Sequence, residues 1–341
     1  MVAIALALAA LERLCVCRLA SCAAVFTGIV TKSVYSSTLA DVDWLHGAAE
    51  TLLTTTNLYV ATGFRDAMAG EAEPEGGAFR YPAFAVFALV VLFTAIGPSV
   101  LGLEQHSAFF FGLGNLAANP LDAVAIASEP VNALSIPTWA IHFSSVFEWL
   151  FAMGMVNQYA AATGNDKWRA LTYGMLPLHA SGVAACTYHF FYNSADVGFL
   201  VTLQAGLTLL GNTTVAIAAI LIALSSGWTV RGAFDDAKAA LGAANPLQSE
   251  EARAAAEAER ATVVAARRPT AALTPQDVPA KPLVAAELLL LTLAASYLLK
   301  YGETVVPFAF EPNGVLGALI CAGIPAAVFA RFYGLPKSTT A

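Results

Sequence analysis

The sequence predicts an all-α polytopic transmembrane helical bundle, and three observations support this fold class. Of the 341 residues, 58% are apolar and only 12% are charged, whereas about 25% are charged in a typical soluble domain. The mean hydropathy is +0.66. Several apolar stretches reach about 20 residues, the length that a helix needs to cross a bilayer. The predicted partner is therefore the lipid bilayer, and the absence of a basic stripe argues against nucleic acid.

Seven or eight spans are predicted along the chain. The N-terminal pair consists of a short, weak span at 19–31 and a more polar one at 44–64. Pro137 stands at the favoured first-turn position of a later span. The six clearer spans are predicted at 83–103, 137–161, 171–192, 196–224, 284–300 and 314–330.

These spans divide the chain into five predicted segments. The linker contains the run SEEARAAAEAERATVVAARR, which has high helix propensity and suits a solvated spacer helix. The segments are an N-terminal membrane domain (1–80), one span with an interfacial or re-entrant loop (81–135), a three-span core (136–224), a soluble linker (225–282) and a C-terminal two-span hairpin (283–341).

Basic residues predict the orientation of the bundle. If the spans alternate, 15 of the 17 Lys and Arg residues lie on one side, and only Lys32 and Lys300 lie on the other. Because basic loops stay on the cytoplasmic side of a membrane, the basic side is predicted to be cytoplasmic or, in a plastid, stromal. The five cysteines (Cys15, Cys17, Cys22, Cys186 and Cys321) form no CxxC pair, and neither a disulfide framework nor a zinc site is indicated.

Histidines and carboxylates recur inside the predicted spans, where ionisable groups are costly and mark function or a paired network. Counted from the less basic side, His46, His142, His189 and Gln204 fall at one depth, and a second set falls near mid-membrane. The predicted polar cluster has six candidate ligands and four supporting residues: His46, Glu50, His142, Glu148, His179 and His189, with Asn57, Ser145, Gln204 and Asn212.

Three interpretations of this cluster stay open. It can be a hydrogen-bonded network that fixes helix packing, because buried polar groups must be paired. It can be a haem or metal-ion site, since imidazoles and carboxylates are common ligands. It can also be a proton or quinone site. The sequence leaves the catalytic residues, the metal and the substrate undetermined, and it favours a non-enzymatic role over an enzymatic one.

Two stretches carry a family resemblance. The run ALSIPTWAIHFSSVFEWLFAMGMV, continued by TGNDKWRALTYGMLPLHASGVAACTYHFFYN and LQAGLTLLGNTT, resembles an uncharacterised membrane family of cyanobacteria and plastids known as hypothetical chloroplast reading frame forty-nine. It covers about 132–223. The run LADVDWLHGAAETLLTTTNLYVATGFRDA, within about 28–68, resembles a second uncharacterised domain of the same organisms. The resemblance implies a fusion of two domains that work side by side in a photosynthetic membrane.

The resemblance also implies a location and a role. We expect a plastid thylakoid or inner envelope protein with its basic loops in the stroma. We expect it to support the assembly, maintenance or regulation of photosynthetic membrane complexes, with subunits of those complexes or biogenesis factors as partners. A membrane-embedded redox or metalloenzyme is the first alternative, and a proton or small-solute transporter is the second.

Overall fold

A computed structural model describes residues 25–69, 80–105, 132–225 and 280–334, with a few single positions between 226 and 279. Helices make up most of this part, and it contains no β-strand. The all-α class is therefore confirmed. After a helical stretch at 25–30, the α-helices of the described bundle are α1 (Asp43–Ala69), α2 (Arg80–Ile96), α3 (Ile136–Thr163), α4 (Lys167–Gly174), α5 (Leu176–Phe190), α6 (Phe199–Ser225), α7 (Lys281–Val305) and α8 (Gly314–Tyr333).

Helix α3 is the centre of the bundle. It packs against α1 on one side and α7 on another, and it also contacts α4 and α5. Helix α5 packs in turn against α6 and α8. The N-terminal domain, the core and the C-terminal hairpin therefore form one bundle around α3 and α5.

Within the described residues, four segments are long and apolar enough to cross a membrane: Ile136–Thr163, Ala195–Ser225, Pro282–Glu303 and Gly314–Tyr333. Helix α1 is long but more polar, and Ala85–Leu101 is apolar but shorter. The larger number of seven or eight spans stays a prediction. The weak first span is helical over 25–30 and continues as a π-helix, Thr31–Tyr35.

Apolar and polar residues are distributed as the membrane class requires. Leu209 on α6, Leu298 on α7 and Val315 on α8 are each more than 70% exposed on the outer surface of the bundle. Glu148 and Lys300, by contrast, are almost fully buried. An apolar exterior around a polar interior suits lipid as the surrounding solvent.

The predicted span 171–192 is not one helix. Helix α4 ends at Gly174, and α5 begins at Leu176 with Pro177 in its first turn. Proline has no N–H and its ring clashes with the carbonyl four residues earlier, so it kinks or breaks a helix, and here the helix breaks. Thr214 of α6 satisfies the broken end, because its hydroxyl donates to the Gly174 carbonyl at 2.7 Å.

The segment before α1 is anchored to the end of α2. The Tyr35 hydroxyl donates to the Leu103 carbonyl at 2.7 Å and accepts from the Trp44 indole at 3.2 Å. Burial raises the pKa of Tyr35, so the phenol stays protonated and keeps this donor. The contact fixes the start of α1, where His46 lies.

Several sequence predictions lie outside the described residues. They concern the N-terminal residues 1–24, nearly all of the loop 106–135, and most of the linker 225–282 with its Ala/Glu/Arg helix.

Candidate metal site between three helices

Three histidines from three different helices meet inside the bundle. The ring centroids of His46 and His142 are 4.8 Å apart, and those of His46 and His189 and of His142 and His189 are each 4.9 Å apart. One ring nitrogen can be chosen from each histidine so that all three lie within 4.8 Å of one another. The three side chains are 9%, 6% and 2% exposed. The structure therefore forms a compact, buried imidazole triangle.

Each histidine is placed near a helix end. His46 lies in the first turn of α1, His142 in the second turn of α3, and His189 at the last turn of α5. Residues before α3 are joined to the start of α1, because the Ser135 N–H donates to Asp43 Oδ1 at 2.8 Å and the Thr138 hydroxyl donates to the Asp43 carbonyl at 3.2 Å. These bonds hold the first turns of α1 and α3 side by side at the same end of the bundle.

The lone pairs and N–H groups of the triangle are largely uncommitted. Both ring nitrogens of His46, Nε2 of His142 and Nδ1 of His189 are buried and meet no partner of full hydrogen-bonding distance and angle within the described ranges, although a backbone group of Leu39 lies near the His46 ring. Buried polar atoms are normally paired, and an unpaired one calls for an explanation such as a bound ion. Three such histidines side by side point to a ligand that the three share.

The ligand type fits a divalent transition metal ion. Neutral imidazole suits zinc, copper, iron and nickel, and three histidines form the protein ligand set of one class of catalytic zinc site. In a tetrahedral site with Zn–N of about 2.1 Å, ligand nitrogens lie about 3.4 Å apart. The nitrogens here lie up to 4.8 Å apart, so metal binding would bring them closer together by about 1.4 Å at most.

Aromatic and polar groups surround the triangle. The ring of Trp139 is fully buried and forms one wall of the triangle. Its centroid lies 6.3 Å from that of the His142 ring and 6.4 Å from that of the His189 ring. Asn193 lies beside His189, and its amide is held by Asp41 Oδ1 at 2.8 Å and the Ala40 carbonyl at 3.0 Å. Metal-bound histidines generally have such partners, which fix the ring orientation.

Three of the six candidate ligands lie away from the triangle. Glu50 follows His46 by one turn of α1 and lies in electrostatic range of the Cys186 thiol on α5. Glu148 is buried and accepts a hydrogen bond from the Ser144 hydroxyl at 2.8 Å through Oε1. His179 is completely buried, and neither of its ring nitrogens has a hydrogen-bond partner in the described part of the chain.

The supporting residues behave differently from one another. Asn57 of α1 donates to the Ser145 hydroxyl of α3 at 3.3 Å, so these two meet. Gln204 contributes its backbone carbonyl, which accepts from the Ser181 hydroxyl of α5 at 3.1 Å. Asn212 is exposed on the outer surface of α6 and does not join the buried polar residues as expected. It faces outward because the adjacent Gly211 takes the face against Leu178.

The sequence prediction missed a buried charged group near the triangle. Lys300 was placed at a membrane surface, but it is completely buried in α7. Its Nζ lies 3.0 Å from Glu303 Oε1 and donates to the Leu134 carbonyl at 2.6 Å. It also lies in electrostatic range of Asp43, three residues before His46. The i, i+3 spacing of Lys300 and Glu303 was the available signal.

Comparisons with known proteins match two separate regions of the chain. Residues 133–221 match a family model described as a protein of unknown function (DUF2499), and residues 19–69 match a second one described in the same way (DUF3593). The chain is 52% identical over 70 residues to the Ycf49-like protein of Synechocystis sp. (strain ATCC 27184 / PCC 6803 / Kazusa), which covers 20% of this chain and 67% of that protein. No solved structure matches the chain. His142 and His189 thus lie within the first matched region and His46 within the second, and the chain belongs to the Ycf49-like family of cyanobacteria and plastids, joined here to a second domain of unknown function.

Proposed function

We propose that this protein is a membrane metal-binding protein whose His46, His142 and His189 hold one divalent transition metal ion. The observation that carries the proposal is the buried triangle of imidazoles, whose ring nitrogens lie within 4.8 Å of one another and largely lack hydrogen-bond partners. Neutral imidazoles are common ligands of such an ion, and three histidines form a known protein ligand set for zinc.

The site joins the two matched domains. His46 belongs to the region matched at 19–69, while His142 and His189 belong to the region matched at 133–221. A metal ion bound by all three would fasten α1 to α3 and α5, because the ion can bind only when the helices are packed, and binding energy then becomes folding energy. This supports a structural or regulatory role for the ion within the bundle.

The wider role follows from the family. We propose that the metal-loaded protein lies in a thylakoid or inner envelope membrane, with its basic loops in the stroma. There it supports the assembly, maintenance or regulation of photosynthetic membrane complexes. The support for this role is the similarity to the Ycf49-like protein of a cyanobacterium and the lipid-exposed apolar surface of the bundle.

The decisive experiment measures metal content in the full chain, purified in a mild detergent. We expect about one equivalent of metal by elemental analysis, lost in His142→Ala because one of three ligands is removed. His179→Ala is the matched control, since this buried histidine lies outside the triangle. The tagged protein should also co-purify with subunits of photosynthetic complexes.

A second variant keeps the test possible if the first one misfolds. If His142→Ala does not give a folded protein, His46→Gln keeps a polar side chain of similar size and is measured instead. Equal metal content in the wild type, the triangle variants and His179→Ala would refute the metal site. A protein that binds metal but migrates alone after gentle solubilisation would refute only the role in complex assembly.

A further inference from the structure

A groove opens on the side of the bundle away from the histidine triangle. It has a volume of about 750 Å³ and lies between the second halves of α3 and α8, with α4 at one end. Leu150 and Gly154 of α3 and Ile324 and Ala327 of α8 form its apolar part. Between Leu150 and Ala161 it extends about 16 Å along α3, at 1.5 Å per residue, which is close to half of a bilayer's hydrocarbon thickness of about 30 Å.

The polar end of the groove is cationic. Arg169 of α4 and Arg331 of α8 line it together with the amide side chains of Asn157 and Gln158. Among the described residues that line the groove, none is acidic. Arg169 is buried and also contacts Asp166 at 3.2 Å, whereas Arg331 is exposed at the rim. Both arginines belong to the basic side of the bundle.

We propose that this groove binds one membrane lipid with an anionic phosphate or sulfonate headgroup. The guanidinium groups suit such an anion, because Arg donates paired N–H groups to its oxygens. The amides of Asn157 and Gln158 suit headgroup hydroxyls, and the apolar part of the groove takes an acyl chain. Basic pockets between transmembrane helices on the cytoplasmic side are a general form of lipid headgroup site.

Gly154 supplies an independent observation and a sharp test. A Cβ atom added at Gly154 would meet no other atom within 4 Å, so the space above it is empty and belongs to the groove. Gly154→Leu would place its side chain in this space, starting from a Cβ atom that meets no neighbour within 4 Å. Gly323 of α8 also has open space around it but does not line the groove, so Gly323→Leu is the matched control.

The experiment measures lipid binding to the delipidated full chain in detergent by native mass spectrometry. The probes are phosphatidylglycerol and phosphatidylcholine with identical oleoyl chains, and glycerol 3-phosphate as a free headgroup. We expect phosphatidylglycerol to bind at least about fivefold more tightly than phosphatidylcholine, because one basic residue contributes about 1 kcal/mol to the binding of an anionic lipid. Glycerol 3-phosphate alone should not bind measurably.

Four variants distinguish lipid binding in the groove from lipid attraction by the general positive charge of the surface. Arg331→Gln should weaken phosphatidylglycerol binding about fivefold, and Gly154→Leu should abolish it. Lys167→Gln, at an exposed basic position outside the groove, and Gly323→Leu should leave it unchanged. Equal binding of both lipids, tight binding of glycerol 3-phosphate alone, or full binding by Gly154→Leu would each overturn the proposal.

Discussion

Lys300 shows how one buried side chain can join distant parts of the chain. Its ammonium group lies against Glu303 on its own helix and against the Leu134 carbonyl just before α3. A charge in a low-dielectric interior persists only when its partners compensate the loss of water. Lys300 therefore fixes the C-terminal hairpin to the same end of α3 that carries His142.

We predict that Lys300→Met destabilises the bundle by about 3–5 kcal/mol, because it leaves the Glu303 carboxylate buried without its cation. The measurement is thermal or denaturant unfolding in detergent. Lys32→Met is the control, since Lys32 is exposed. The double variant Lys300→Met with Glu303→Leu should recover much of the loss, and a double variant as unstable as the single one would contradict this explanation.

The pairing of α5 with α6 depends on a close backbone approach. A Cβ atom at Gly211 of α6 would lie 2.5 Å from Leu178 Cγ and 2.8 Å from the Leu178 backbone nitrogen. Small residues allow such contacts between membrane helices, where packing rather than the hydrophobic effect drives association. The Ser181 hydroxyl adds a contact to Thr208 at 2.7 Å on the same face.

Gly211→Ala is predicted to destabilise the protein by about 1–3 kcal/mol, the usual cost of overpacking a well-packed contact. Gly206→Ala on the same helix is the matched control, because a Cβ atom there meets nothing within 4 Å and alanine favours a helix over glycine by about 1 kcal/mol. Unfolding of both variants in one detergent tests this. Equal stability of the two variants would show that α5 and α6 do not approach so closely.

For the molecule as a whole, the sequence predicts one strongly basic side. Lys167 lies in the connection that follows the C-terminal end of α3. Asp196 lies in the turn between the C-terminal end of α5 and the N-terminal end of α6, which is one helix length away from that connection. Since basic loops remain on the cytoplasmic or stromal side, these two turns should lie on opposite sides of the membrane.

Single cysteines test this orientation. We predict that Lys167→Cys reacts with a membrane-impermeant maleimide from the stromal or cytoplasmic face only, and that Asp196→Cys reacts only from the other face. Both positions are exposed, so labelling in sealed vesicles of known orientation is the measurement. The protein without an added cysteine controls for the native thiols. Labelling of both positions from the same face would contradict the orientation.

Composition and spacing determined the helical membrane class and the helix around Pro137. They also placed His46, His142 and His189 at one depth, because a helix rises by a fixed distance per residue. Only the tertiary structure decided which of the residues at a given depth meet. Gln204 was predicted at the same depth as the histidines, yet it contacts Ser181 through its backbone carbonyl, and Asn212 faces outward. The spacing of residues in the sequence gives their positions along the axis of one helix. The rotation of that helix about its axis, and which helices lie next to it, are set by how all the helices of the bundle pack together.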